Sequence, residues 1–117
     1  DGADVVYDAV GGDYAEAALR AIAWEGRFLV VGFPAGIPRI PLNLPLLKGC
    51  QIVGIFWGAF TERDRAENAR NNAELVEFYR AGRVRPHVSL RFPLEEGGRA
   101  IAELSARRAL GKIVVTL

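Results

Sequence analysis

The sequence predicts an α/β fold, a short parallel sheet with flanking helices. Two observations carry that prediction. The first is a pair of near-continuous apolar runs, Asp4-Val5-Val6-Tyr7-Asp8-Ala9-Val10 and Arg27-Phe28-Leu29-Val30-Val31, which close on Gly11-Gly12 and Gly32. Apolar residues do not alternate with polar ones in either run. A strand buried on both faces reads this way, and such strands belong to parallel sheets covered by helices. The second is the stretch between them, 13–25, where Tyr14, Ala17, Ala18, Leu19, Ala21 and Ile22 recur at the spacing of one helix face. Strand, helix and parallel strand make a βαβ unit, whose crossover is right-handed. A third run, Gln51-Ile52-Val53-Gly54-Ile55-Phe56-Trp57-Gly58, also closes on glycine. Ligands of parallel sheets bind beyond the carboxyl ends of the strands. All three glycine exits therefore point at one edge, and a site is expected there.

Taken in order, the first strand is expected over Val5 to Val10, and Gly11-Gly12 supplies a turn that lets a ligand approach the backbone. Asp13 is placed to cap the following helix, and Glu25-Gly26 to end it with a C′ glycine. The second strand follows over Arg27 to Val31. Pro34, Pro38 and Pro41 rule out a central strand and argue for an ordered surface loop. Leu42 to Lys48 suits one or two helical turns packed under the sheet, with Asn43 as a cap. The third strand spans Gln51 to Phe56. Thr61 is placed to cap a long helix from Glu62 to Ala81, with Leu75, Val76, Phe78 and Tyr79 on its apolar face and Gly82 as its stop. In His87 to Phe92, Val88, Leu90 and Phe92 alternate with His87, Ser89 and Arg91, as in a half-buried strand. A helix from Pro93 to Ala106 turns Ala100, Ile101 and Leu104 inward, although Gly97-Gly98 weakens its first turn by about 1 kcal/mol per glycine. Ile113 to Leu117 forms the last strand.

The 117 residues suffice for one domain with a core, and half of them are hydrophobic. Fifteen basic residues face fourteen acidic ones, a balance that gives no reason to expect nucleic acid or an anionic membrane as partner. No apolar run is long enough to span a bilayer. A single cysteine, Cys50, excludes an intramolecular disulfide and fits a reducing cytoplasm. Methionine is absent and the chain opens almost directly into a strand, which suggests a piece of a longer protein.

No catalytic or metal constellation is expected. Zinc requires three or four Cys, His or carboxylate ligands, and the chain has one Cys and one His. Cys50 reads as a small packed hydrophobe, His87 as structural or solvated, and Glu95-Glu96 as a helix-start pair. Asp8, beneath the expected site, either stabilises the turn or meets a ligand or water. Chemistry is expected where the exits converge. Glycines there let backbone groups approach a flat polar ring, and Phe33, Phe56 and Trp57 supply apolar walls. The chain has no G-x-G-x-x-G after a strand and no P-loop, so no phosphate cradle is expected.

The segments Gly2 to Gly12, Gly26 to Phe33, Gly54 to Ala59, Arg85-Pro86-His87-Val88, Phe92 to Glu96 and Gly111 to Val115 follow one another as in a known family. The ordered set resembles NADPH:quinone oxidoreductase-like members of the medium-chain dehydrogenase/reductase superfamily over essentially the whole chain. The resemblance implies the C-terminal part of such an enzyme. Residues 1–82 would be the second half of its Rossmann-type coenzyme-binding domain, and 83–117 a strand–helix–strand segment returning to the catalytic domain.

The implied cofactor is NADPH. Val10-Gly11-Gly12 matches the turn near its ribose and nicotinamide, Gly32-Phe33 the segment beside the nicotinamide, and Phe56-Trp57-Gly58 the segment meeting the carboxamide through its backbone. Arg108 or Lys112 matches a basic position near the cofactor. The complete enzyme would pass hydride to a quinone or enone and pair as a homodimer through the strand Gln51 to Phe56. The glycine-rich phosphate loop and the catalytic domain of the family are missing from this stretch, and its details favour the zinc-free branch. The chain by itself is therefore expected to bind NADPH weakly or not at all and to lack turnover. The alternative is a stand-alone, non-catalytic nucleotide-binding or dimerisation module derived from the family.

Overall fold

The computed structural model describes residues 1–117, which divide into two compact units, Asp1–Arg65 and Ala66–Leu117. The first unit holds a three-stranded sheet of β1 (Ala3–Asp8), β2 (Ile22–Val30) and β3 (Gln51–Gly54), in that spatial order. Both pairings are parallel, with Val6 opposite Phe28 and Phe28 opposite Ile52. Helix α1 (Tyr14–Arg20) joins β1 to β2, and the short α2 (Asn43–Lys48) precedes β3. The parallel α/β fold expected from the sequence is the one that forms.

The core of this unit lies on one side of the sheet. Ala15, Leu19, Ile22, Phe28 and Leu44 are buried together, with Val6, Ala18, Val30, Ile40 and Cys50 packed against them. Ala15 and Leu19 stand four residues apart on α1, hence on one face. Tyr14, Ala17 and Ala21, expected to face inward, are exposed. The opposite side of the sheet is covered by no helix of this unit. Val5 and Tyr7 stand on it 45% and 67% exposed, so the expectation of strands buried on both faces does not hold here.

Several boundaries differ from those expected. The helix ends at Arg20, and Ile22–Glu25 belongs to β2. Ala3 pairs with Ile22, the register then slips, and Val5 pairs with Arg27. Two hydrogen bonds and one buried side chain hold this bulged entry. The Ala3 N–H donates to the Ala21 carbonyl at 3.0 Å, Lys48 Nζ donates to the Ile22 carbonyl at 3.0 Å, and Ile22 itself is fully buried. Gly26 lies where the chain presses on itself, since a Cβ there would sit 2.7 Å from Ile22 Cγ1. It serves the bulge and is no helix cap.

Asp13 occupies the N-cap of α1 without a side-chain cap bond, and Asn43 is the first residue of α2, capping nothing. The first strand stops at Asp8, and β3 stops at Gly54. Beyond β3 lies α3 (Trp57–Arg63), then a break at Asp64, then α4 (Arg65–Arg80). Thr61 therefore lies inside a helix, its Oγ1 donating to the Gly58 carbonyl at 2.8 Å.

In the second unit α4 buries none of its residues, including Leu75, Val76 and Tyr79. Phe78 is half-buried beneath the Arg83 guanidinium, 4.0 Å from the ring centroid. Strands β4 (Val88–Pro93) and β5 (Lys112–Thr116) pair in parallel, joined by a 3-10 turn (Leu94–Glu96) and α5 (Gly97–Ser105). The expected strand–helix–strand segment is therefore present. Phe92 and Ala100 form its small core, whereas Ile101 and Leu104 are 68% and 62% exposed and not turned inward.

Candidate functional site

Because all three strands run the same way, Val10-Gly11-Gly12, Gly32-Phe33 and the segment after Gly54 leave the same end of the sheet. The first two are bound to each other. The turn after β1 begins with Asp8, whose Oδ1 accepts the Val10 N–H at 3.0 Å and the Gly11 N–H at 2.8 Å. Gly11 and Gly12 follow with φ of 70° and 59°, left-handed values that glycine adopts without steric cost. The Gly12 N–H then reaches the Gly36 carbonyl at 2.8 Å, and the Ala35 N–H reaches the Val10 carbonyl at 3.0 Å. A further bond from the Gly36 N–H to the Phe33 carbonyl at 2.9 Å tightens the loop into a turn.

The glycines are required by contact as well as by conformation. A Cβ on Gly11 would sit 2.7 Å from the Gly36 carbonyl oxygen and 3.0 Å from Phe33 Cδ1. A Cβ on Gly12 would sit 2.7 Å from the Ala35 carbonyl oxygen. Ala35 and Gly36, which supply the partner groups of this clamp, were not singled out from the sequence. Their signal is the Pro-Ala-Gly turn following Phe33. Asp8, left open between turn and ligand, stabilises the turn.

The third exit differs from the expected strand end. The Ile55 N–H extends the β2–β3 ladder by donating to the Val30 carbonyl at 2.8 Å. Phe56 then precedes α3, with Trp57 and Gly58 in its first turn, and no backbone hydrogen bond joins these residues to the other two exits. The Trp57 ring meets Phe60 with centroids 5.3 Å apart, and Phe56 is 78% exposed. Arg108 and Lys112 belong to the second unit. Arg108 is committed to Glu103 by two bonds of 2.7 and 2.8 Å, and Lys112 opens β5 with its N–H donating to the His87 carbonyl at 2.8 Å. The Arg108 hydrogen bond holds the Glu103 carboxyl below its ordinary value.

The clamped loops present Val10 and Phe33 as exposed apolar side chains. The Phe33 N–H has no backbone partner. That combination suits one face and one polar edge of a flat heteroaromatic ring. Beside it a cavity of about 410 Å³ opens between Gly12, Asp13 and Glu16 on one side and residues 35–39 on the other. Gly12 is the one expected site residue that lines it.

Residues 1–115 match the family described as zinc-binding dehydrogenase. Quinone oxidoreductase-like protein 2 of Bos taurus is 38% identical over 117 residues, which cover 99% of this chain and 34% of that protein. A quinone oxidoreductase of Pseudomonas aeruginosa is 33% identical over 114 residues, or 95% of this chain and 34% of its own. A mycobacterial protein solved in complex with NADPH shares the fold with a TM-score of 0.81 at 26% identity, covering 99% of this chain and 36% of that one. The quinone oxidoreductase of Thermus thermophilus, also solved with NADPH, gives a TM-score of 0.76 at 28% identity, with 99% of this chain and 37% of that one covered. The chain thus spans about a third of the length of these relatives.

Proposed function

Because the chain belongs to the zinc-binding dehydrogenase family, we propose that it is the C-terminal, coenzyme-facing part of an NADPH-dependent oxidoreductase of the quinone reductase type. The observation that supports this most directly is the clamp between the turn after β1 and the loop after β2. It holds an apolar, partly bare backbone surface at the end of a parallel sheet, where such folds bind their ligands. In the complete enzyme NADPH supplies a hydride to a quinone or enone. The residues present here orient the nicotinamide end and keep water from one of its faces. Val10, Gly11, Gly12, Gly32 and Phe33 form that wall, and Phe56, Trp57 and Gly58 stand at the end of the neighbouring strand.

The residues fit the nicotinamide end only. No glycine-rich helix N-terminus is available for the pyrophosphate, where most dinucleotide affinity arises. Nor do they fit zinc, since no three His, Cys, Asp or Glu side chains gather. No helix is long and apolar enough to cross a membrane. We also propose that β3, a sheet edge with Ile52 and Ile55 40% and 38% exposed, pairs with a second copy to form a homodimer.

Two measurements test the reading. Sequencing the DNA upstream of Asp1 should reveal a strand followed by G-x-G-x-x-G; an in-frame start codon in its place would favour the stand-alone module. Calorimetric titration of this chain with NADPH should show dissociation weaker than about micromolar, because the phosphate-binding element is absent. Tight binding would contradict the division of labour proposed.

A further inference from the structure

We propose that Asp8 is a positioning residue for the cofactor-facing wall, acting through both loops that meet beyond β1 and β2. The inference rests on the functional reading above. Asp8 is the one charged residue that is buried, at 8% exposed. A buried carboxylate is costly unless hydrogen bonds compensate it, and packing alone gives no reason for one here. Its Oδ1 collects the Val10 and Gly11 N–H groups at 3.0 and 2.8 Å. Its backbone carbonyl collects the Val31 N–H at 2.9 Å and the Gly32 N–H at 3.4 Å. One residue therefore holds the exits of two strands. An ionised carboxylate suits converging donors because it only accepts.

From Gly11 the constraint passes onward by two routes. One is the pair of bonds from Gly12 to Gly36 and from Ala35 to Val10. The other is steric: the Phe33 ring rests on the bare face of Gly11, where a Cβ would stand 3.0 Å from Cδ1. Val10 and Phe33, 43% and 42% exposed, are thereby held as one preformed surface. Asp8 acts through Gly11 and Phe33; contact with the cofactor forms no part of its role.

Backbone amide hydrogen exchange on the chain tests this. In the unaltered chain Gly12 and Ala35 should open together, with protection agreeing within about threefold and the same denaturant dependence. Independent opening of the two amides would overturn the proposal. In Asp8→Ala both should exchange at least about tenfold faster while Phe28 and Leu29 in β2 keep their protection. Asp8→Asn retains an acceptor oxygen and should hold both amides within about threefold of the parent. An alanine variant with unchanged exchange at Gly12 and Ala35, or an asparagine variant as open as alanine, refutes the role. Should Asp8→Ala not fold, the shared opening in the parent and the asparagine result decide. Nicotinamide mononucleotide is the probe for the wall. Its titration should shift the Val10 and Phe33 resonances in the parent and in Asp8→Asn. Missing shifts with intact coupled exchange overturn the functional reading, whereas shifts with uncoupled exchange overturn the role of Asp8.

Discussion

Replacing Gly12 by alanine should destabilise the first unit by about 2–5 kcal/mol. An L-residue held in the left-handed region costs about 1–2 kcal/mol, and Gly12 has a φ of 59°. The added Cβ would stand 2.7 Å from the Ala35 carbonyl oxygen and 3.0 Å from the Ala35 Cβ, so the loop must retreat. That retreat stretches the Gly12–Gly36 and Ala35–Val10 bonds, now 2.8 and 3.0 Å, each contributing about 0.5–1.5 kcal/mol net. At roughly 4–8 °C per kcal/mol for a unit of this size, the midpoint should fall by at least about 8 °C. A thermal melt followed by far-UV circular dichroism reads it directly. The reference is Gly54→Ala, where an added Cβ meets nothing within 4 Å and the change should stay within about 0.5 kcal/mol. A Gly12→Ala protein melting within about 2 °C of the parent would show that the two loops are not clamped.

Three further outcomes are expected. Gly98→Ala, at the second residue of α5 with open space around it, should stabilise the second unit by up to about 1 kcal/mol, read as a higher urea midpoint; a lower one would refute the helix at that position. Ile52→Pro on β3 removes a donor that faces the free edge, since the Ile55 N–H, three residues on, turns to β2, and sedimentation should then show monomer or loss of folding, whereas a well-folded dimer would rule out β3 as the pairing edge. Glu103 should titrate below its ordinary value by carbon-13 NMR and move back up in Arg108→Gln, since the Arg108 hydrogen bond lowers it. A carboxylate depressed in this way favours the folded state above its unfolded value and loses that contribution as pH falls through the lowered one; an unmoved Glu103 in the variant would remove the pair as the cause.

How much of this was legible before folding depended on whether the deciding interactions were local. The three parallel strands were visible because apolar runs of that kind are hard to place elsewhere, and the final strand–helix–strand because its alternation and its turn residues agree. The end of α1 was not visible. Ala21 prolongs a helical pattern and Gly26 imitates a cap, but Ile22 is drawn into β2 by burial and by Lys48, twenty-six residues away. The start of α3 at Trp57 is hidden for a different reason. Trp57 and Phe60, three apart, already signal a helical turn before Thr61, and the hydroxyl of Thr61 suggested a cap in its place. Of the candidate site, the turn and its glycines could be read, while Ala35 and Gly36 showed only as a turn signal with no partner assigned. Their role is set by where β2 delivers them.

That the helices of the first unit cover only one side of its sheet has a calorimetric consequence. The heat-capacity increment of unfolding tracks apolar surface newly exposed to water, and an ordinarily packed chain of this length would show about 1.4–1.8 kcal/mol/K. Val5 and Tyr7 are already wet in the folded state, and only seven hydrophobic residues are buried, so scanning calorimetry should return a smaller increment. The stability curve is then flat, with little to separate a cold room from body temperature. Anything laid over that bare side, whether the remainder of a longer chain or a second copy, steepens the curve and raises the increment. The increment is thus a gauge of cover that needs no label, no cofactor and no turnover.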